Sequence, residues 1–146
     1  MNPSLNNRLG FFFAIQMDKL VSAALQAKAR ALAPYSNFHV GAAIETAAGK
    51  IYSGCNIESS SYGLTCCAER VAIFKALSEG ERDFTRLAVA ADTEEFCTPC
   101  GACRQVLWDY GKNLEILCIN KHEAVHKMEL KSLLPEAFDE HFLKPR

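Results

Sequence analysis

Two short stretches bring thiols together with a carboxylate: Thr65-Cys66-Cys67-Ala68-Glu69-Arg70, and Thr98-Pro99-Cys100-Gly101-Ala102-Cys103-Arg104-Gln105 further on. Each places thiols at the start of an apolar run with helical patterning, and the first sets Glu69 two residues after Cys67. Three thiolates can hold a zinc ion and leave its fourth tetrahedral position to water, with the carboxylate near enough to move that water's protons. The chemistry expected of such a set is hydrolytic.

Cys100 and Cys103 have the spacing that puts two sulfurs on one helix face about a turn apart, within reach of one ion. The positive end of a helix also favours the thiolate. Cys67 opens a different helix, and if the two helices follow adjacent strands on one face, their N-termini converge. Three thiolates make the site net negative, so its water would be less acidic than in a histidine-ligated site. Arg70 is expected to offset that charge by donating to one or more ligand sulfurs, with Arg104 the other candidate.

Blander readings exist for each part. A Cys-x-x-Cys alone reads as a structural zinc half-site or a redox pair. A structural site would want a fourth ligand, yet Cys66 adjoins Cys67 and would project elsewhere. A redox pair leaves Cys67 and Glu69 without a role. Glu69 alone reads as a first-turn carboxylate favoured by the helix dipole, and its placement relative to Cys67 is what favours catalysis. Cys55, Cys66, Cys97 and Cys118 read as non-ligands, three of them as small core residues, with Cys97 the closest competitor. His39, His122, His126 and His141 have no zinc-like spacing and read as structural or exposed.

The 146 residues suit one domain with a real core, 49% hydrophobic and 23% charged, as in an ordinary globular protein. A net charge of -1, without a Lys/Arg stripe, gives no footprint for a phosphate backbone, so a nucleic-acid substrate is disfavoured. Seven cysteines is an odd number, which suits metal ligation in a reducing, cytoplasmic compartment better than a disulfide framework. The apolar part of residues 6–15, with Phe11 to Phe13, is too short to span a bilayer and lacks a cleavage pattern. Residues 1–16 are read as an N-terminal extension of a single domain, 17–146, with no membrane partner.

The elements that must position the thiols follow from periodicity. Met17 to Leu32 is expected as a helix ended by Pro34. Phe38 to Thr46 and Ile51 to Ile57 are expected as a hairpin around Ala47 to Lys50, delivering Asn56-Ile57-Glu58 at its end. A helix capped by Thr65 runs to Ser78 before Gly80. Leu87 to Ala91 reads as a buried strand, Pro99-Cys100 to Tyr110 as a helix, Leu114 to Ile119 as a strand and Ala124 to Met128 as one more. That order is an α/β layered domain in which helices cover a largely buried sheet.

Asn37-Phe38-His39-Val40-Gly41-Ala42-Ala43, Gly54-Cys55-Asn56-Ile57-Glu58, Cys67-Ala68-Glu69-Arg70 and Pro99-Cys100-Gly101-Ala102-Cys103-Arg104-Gln105 together resemble the small homotetrameric cytidine deaminases of pyrimidine salvage. The resemblance runs from about Leu20 to Phe138. It implies a three-layer α-β-α fold around a mixed sheet of about five strands, and Zn2+ held by Cys67, Cys100 and Cys103. A water deprotonated by Glu69 would attack C4 of cytidine or deoxycytidine, and Glu69 would then protonate N3 and help ammonia leave. Asn56 and Glu58 would hold the ribose hydroxyls, Phe38 would pack on the nucleoside and the Ala68 N–H would bind the base carbonyl. Phe138 matches an aromatic that reaches a neighbouring subunit's site. The competing expectations are a deaminase of a modified cytosine compound such as blasticidin S, which the Asn56/Glu58 pair argues against, and a non-catalytic zinc-stabilised binding protein.

Overall fold

The computed structural model describes residues 17–145; the expected extension 1–16, with Phe11 to Phe13, lies outside them. Helix α1 spans Lys19–Lys28 and starts where the Asp18 side chain accepts the Leu20 N–H at 2.9 Å, satisfying one of the first-turn donors. It buries Leu20, Val21, Ala24 and Ala27 on one stripe. The helix is shorter than the Ala-rich pattern promised. Leu32 is drawn into a bridge with Ile57, its N–H donating to Asn56 O and its carbonyl accepting from Glu58 N, both at 2.9 Å. Tertiary pairing takes over from helix propensity there, well ahead of Pro34.

The hairpin is as expected but trimmed, with β1 at Val40–Thr46 and β2 at Ile51–Cys55. Thr46 N donates to Lys50 O across a turn that holds Gly49 at φ 86, in the left-handed region. Next come a 3-10 turn at Tyr62–Leu64, α2 at Ala68–Ser78, β3 at Phe84–Ala91, α3 at Gly101–Tyr110, β4 at Glu115–Ile119 and β5 at Val125–Glu129. A short α4 at Leu130–Leu133 and a 3-10 turn at Glu140–Leu143 close the described chain.

The five strands form one mixed sheet in the order β2-β1-β3-β4-β5. β1 runs antiparallel to both its neighbours, β3 and β4 are parallel, and β4 and β5 are antiparallel. Side chains alternate between faces, as the pleat requires. Ala43, Ala88, Ala90, Leu117 and Ile119 face α1. Val40, Ala42, Ile44, Leu87, Val89, Ile116 and Cys118 face the other way, into a core with Ala68, Ala72, Ile73 and Ala76 of α2, Leu107 of α3 and Leu130 of α4. This is the three-layer α-β-α arrangement that the resemblance implied.

Two glycines set how closely helices descend on the sheet. A methyl group at Gly41 would stand 2.1 Å from Ala24 O and 2.2 Å from Lys28 N of α1. One at Gly54 would meet Ala72 N at 2.6 Å and Ala68 O at 2.8 Å on α2. Only a residue without a Cβ allows either backbone approach. Gly54 therefore fixes the height of the helix turn that carries Cys67 and Glu69.

Arg86 ties the start of α1 to the sheet, donating to Asp18 Oδ2 at 2.6 Å and Glu45 Oε2 at 2.8 Å. The Arg86 hydrogen bond holds the Asp18 carboxyl below its ordinary value. A group whose folded pKa is depressed contributes stability that is present above its unfolded pKa, about 3.9 for Asp, and lost as pH falls through the folded value. Asp18→Ala is expected to cost about 1 kcal/mol in urea melts near neutral pH, and that gap should close as pH falls through and below the lowered Asp18 value. A gap independent of pH would remove the carboxylate from the account. Among the described residues no helix is long and apolar enough to cross a membrane.

Candidate metal centre

Each thiol-bearing helix begins on a cysteine. Cys67 is the N-cap of α2 with φ -68 and ψ 153, and Cys100 the N-cap of α3 with φ -65 and ψ 165; neither side chain makes a capping hydrogen bond. Thr65 is not the cap expected from its type. Cys66 is still extended in a bridge with Ile57, which delays the helix by two residues, and Thr65 Oγ1 instead accepts the Ser59 N–H at 3.2 Å. The strands that feed the helices are not adjacent either: β2 and β3 flank β1 on opposite sides. Convergence holds nonetheless, because both helices lie on the same face and pack against each other across the sheet.

The Sγ atoms of Cys67, Cys100 and Cys103 all lie within 4.8 Å of one another, with Cys67 and Cys100 3.8 Å apart. Among the described residues this is the only such cluster of His, Cys, Asp and Glu. Cys103 is buried, Cys67 half-buried and Cys100 exposed. The Glu69 carboxylate, 5% exposed, accepts from Cys103 Sγ at 3.2 Å. Burial pushes the Glu69 carboxyl above the usual carboxylate range. Neighbouring Cys103 and Arg70 pull the Cys67 thiol down to about 5, while the Cys67 sulfur beside it, together with burial, pushes Cys103 up. Zinc takes cysteine sulfurs as thiolates, so ligation releases whatever protons the three sulfurs carry.

Arg70 stands where the charge argument asked for it. Its Nη2 donates to Cys67 Sγ at 3.4 Å. Its Nε is buried and, among the described residues, has no hydrogen-bond partner. Arg104 does not share that role. Its guanidinium is spent on Pro99 O at 2.7 Å, Leu133 O at 2.8 Å and Thr98 Oγ1 at 2.9 Å, clamping the turn before Cys100 to the end of α4.

A cleft of about 550 Å³ opens over the sulfurs, a size suited to a small organic ligand. Phe38, Asn56, Glu58, Ala68 and Glu69 all line it with Cys67 and Cys100. Ala68 is the first helical residue, so its N–H has no acceptor within the helix. The Asn56 amide pins the aromatic wall: Oδ1 accepts the Val40 N–H at 2.9 Å and Nδ2 donates to Phe38 O at 2.7 Å.

Phe138 is not among the cleft residues of its own chain; it is 54% exposed and stacked on Phe142 with centroids 5.3 Å apart. Cys118 alone of the four spare cysteines is core; Cys55, Cys66 and Cys97 are half-buried, and Cys97 lines the cleft. Tyr35, Ser36, Tyr62 and Thr98 also line it and were not singled out from their types. The histidines remain outside the cleft, with His122 paired to Glu94 at 2.8 Å.

The donor set fits zinc: three sulfurs within reach of one ion, a buried carboxylate against one of them and a cation beside another match the ligand chemistry of a catalytic zinc site. Residues 15–118 match the family model of the cytidine and deoxycytidylate deaminase zinc-binding region. The chain belongs to this deaminase family. A cytidine deaminase of Halalkalibacterium halodurans is 46% identical, over 84% of this chain and 95% of its own. One from Sporosarcina psychrophila is 45% identical over 85% and 92%. A blasticidin-S deaminase of Bacillus cereus is 36% identical over 66% of this chain and 74% of its own. The crystal structure of cytidine deaminase from Burkholderia pseudomallei superposes with a TM-score of 0.80 at 47% identity, covering 82% of this chain and 97% of that one. That of Mycobacterium tuberculosis gives 0.73 at 38% identity, covering 85% and 98%.

Proposed function

We propose that this deaminase hydrolyses cytidine and deoxycytidine to uridine and deoxyuridine with release of ammonia, a pyrimidine salvage reaction. The observation that carries the reading is a buried carboxylate, Glu69, in contact with Cys103 of a three-sulfur cluster at the floor of a nucleoside-sized cleft. Cys67, Cys100 and Cys103 hold zinc, which supplies the Lewis acidity that makes water a nucleophile at neutral pH. Glu69 Oε2 takes a proton from the attacking water and gives it to N3 of the base as C4 is attacked. The same carboxylate then carries the second proton to the departing amine. Burial suits it to this work, since it pushes the carboxyl above its usual range and so makes it a stronger proton acceptor than an exposed glutamate. Arg70 neutralises part of the sulfur charge through Cys67.

Substrate is held on the opposite wall. Phe38 packs on the nucleoside, and Asn56 and Glu58 take the ribose hydroxyls, Asn56 with the second proton and lone pair that its bonds to Phe38 and Val40 leave over. The Ala68 N–H receives the base carbonyl. A nucleoside lacking the hydroxyls leaves those groups without partners, which is how such a site rejects analogues.

The protein works as a homotetramer in the cytoplasm, with sites near subunit interfaces and without a nucleic-acid or membrane partner. Exposed, stacked Phe138 and Phe142 beside Leu143, 73% exposed, form an apolar patch of the kind that a second copy covers; Phe138 there reaches a neighbour's cleft.

The test is direct. Purified protein with cytidine should give the ultraviolet change to uridine, about one zinc per chain and a tetramer mass by light scattering. Chelation should remove activity and zinc together. Turnover of blasticidin S without turnover of cytidine would favour the modified-cytosine reading, and absence of both in a folded, zinc-replete sample would end the enzymatic one.

A further inference from the structure

Glu58 does not stand free at the cleft wall. Its Oε2 accepts the backbone N–H of Tyr35 at 3.0 Å and of Ser36 at 3.2 Å, and the Ser36 hydroxyl donates to Oε1. The same hydroxyl oxygen accepts the Phe38 N–H at 3.0 Å. Behind this contact the turn is closed by Asn37, at φ 56, whose N–H donates to Ala33 O at 3.0 Å. The backbone of Glu58 is fixed from the other side by its N–H to Leu32 O. Among the described residues, Ser36 Oγ is therefore the one side-chain atom hydrogen-bonded both to the carboxylate proposed for the sugar and to the residue proposed to stack on the nucleoside.

We infer that Ser36 is the positioning residue for sugar recognition in this site: its hydroxyl aims the Glu58 carboxylate and locks that aim to the Phe38 wall. The inference rests on the proposed role of Glu58 and says what holds that role in place. A carboxylate swings about its side-chain bonds, and three donors from one turn select a single orientation before substrate arrives. Oε2 meets the two backbone donors at the shorter distances, while Oε1 meets the hydroxyl and shares the Ser36 N–H at 3.4 Å, keeping acceptor capacity for a ligand. The Ser36 hydrogen bond is also the first cause that holds the Glu58 carboxyl below its usual range. Removing the hydroxyl leaves Oε1 with only the longer Ser36 N–H contact at 3.4 Å and uncouples Phe38, while the backbone donors to Oε2 stay in place.

The experiment is a cycle of two enzymes and two substrates, with steady-state kinetics on cytidine and 2',3'-dideoxycytidine. Ser36→Ala should raise KM for cytidine about tenfold, the loss expected of one hydrogen bond to a charged group, with kcat changed by less than about threefold. The dideoxy substrate offers no hydroxyl to Glu58, so the KM effect there should fall to about twofold or less. Ser36→Thr, which keeps the hydroxyl, should restore the cytidine KM. An equal penalty on both substrates, or no rescue by threonine, would make Ser36 a general brace of the turn and overturn the inference. Wild-type enzyme that treats the two substrates alike would instead overturn the proposed role of Glu58, and the inference with it.

Discussion

Glu69→Gln is expected to lower kcat for cytidine by at least about a thousandfold, towards the upper end of what a positioned acid-base group supplies, while zinc per chain stays at the wild-type value. Glutamine keeps the shape of the side chain and can still pair with Cys103, which now meets a neutral amide at the 3.2 Å contact. What it cannot do is accept a proton from water and hand it to N3. Since the same atom is proposed to act in successive transfers, no step is left with a substitute carrier, and the residue is too buried for bulk water to stand in. Zinc analysis by atomic absorption beside single-turnover kinetics separates the two readouts. Activity within tenfold of wild type would mean that Glu69 is only a first-turn carboxylate; loss of zinc would mean that it supports the metal and not the proton.

Gly54→Ala is the second large effect, and it acts at a distance. The added methyl group meets the backbone of α2 at 2.6 Å and 2.8 Å, where no side chain can rotate away. The helix must rise, and Cys67 and Glu69 rise with its first turn. The cost is expected to be at least about 3 kcal/mol, at the high end of overpacking because the obstacle is backbone. That corresponds to a melting temperature lower by roughly 10 °C. Zinc content should fall too, because the Cys67 sulfur is carried away from those of Cys100 and Cys103, which now lie within 4.8 Å of it. Calorimetry and zinc analysis on the same preparation check both; a variant with wild-type stability and full zinc would show that α2 can slide without consequence.

Much of this site is legible from residue types because its chemistry needs particular atoms at particular spacings. Three thiols and a carboxylate near two helix starts leave few alternatives, and Cys67, Cys100, Cys103, Glu69 and Arg70 do meet. Local periodicity located the elements for the same reason: alternating faces at Ala42, Ala43 and Ile44 and a helical stripe at Leu20, Val21 and Ala24 are written in neighbouring residues.

What was not legible depends on partners far along the chain. Leu32 leaves its helix because Asn56 and Glu58 offer backbone partners that no local pattern reveals. Thr65 looks like a cap, yet Cys66 pairs with Ile57 first. Arg104 could have faced the sulfurs, and only the position of α4 explains why it turns to Leu133 O. Ser36 carries no chemical signal of its own; the turn that brings it to Glu58, 22 residues away, gives it one.

The facing sulfurs of Cys67 and Cys100 are 33 residues apart along the chain, with all of β3 between them. Closing a loop of that length costs about 2 kcal/mol more than closing the one between Cys100 and Cys103, so in the unfolded polypeptide an ion meets the thiols around Cys100 before Cys67 can join them. Full ligation must wait until β3 has slotted in beside β1 and both helices have settled. The ion therefore arrives as a late inspector of topology: it seals chains whose strand order is already right and gives little foothold to those that mispaired.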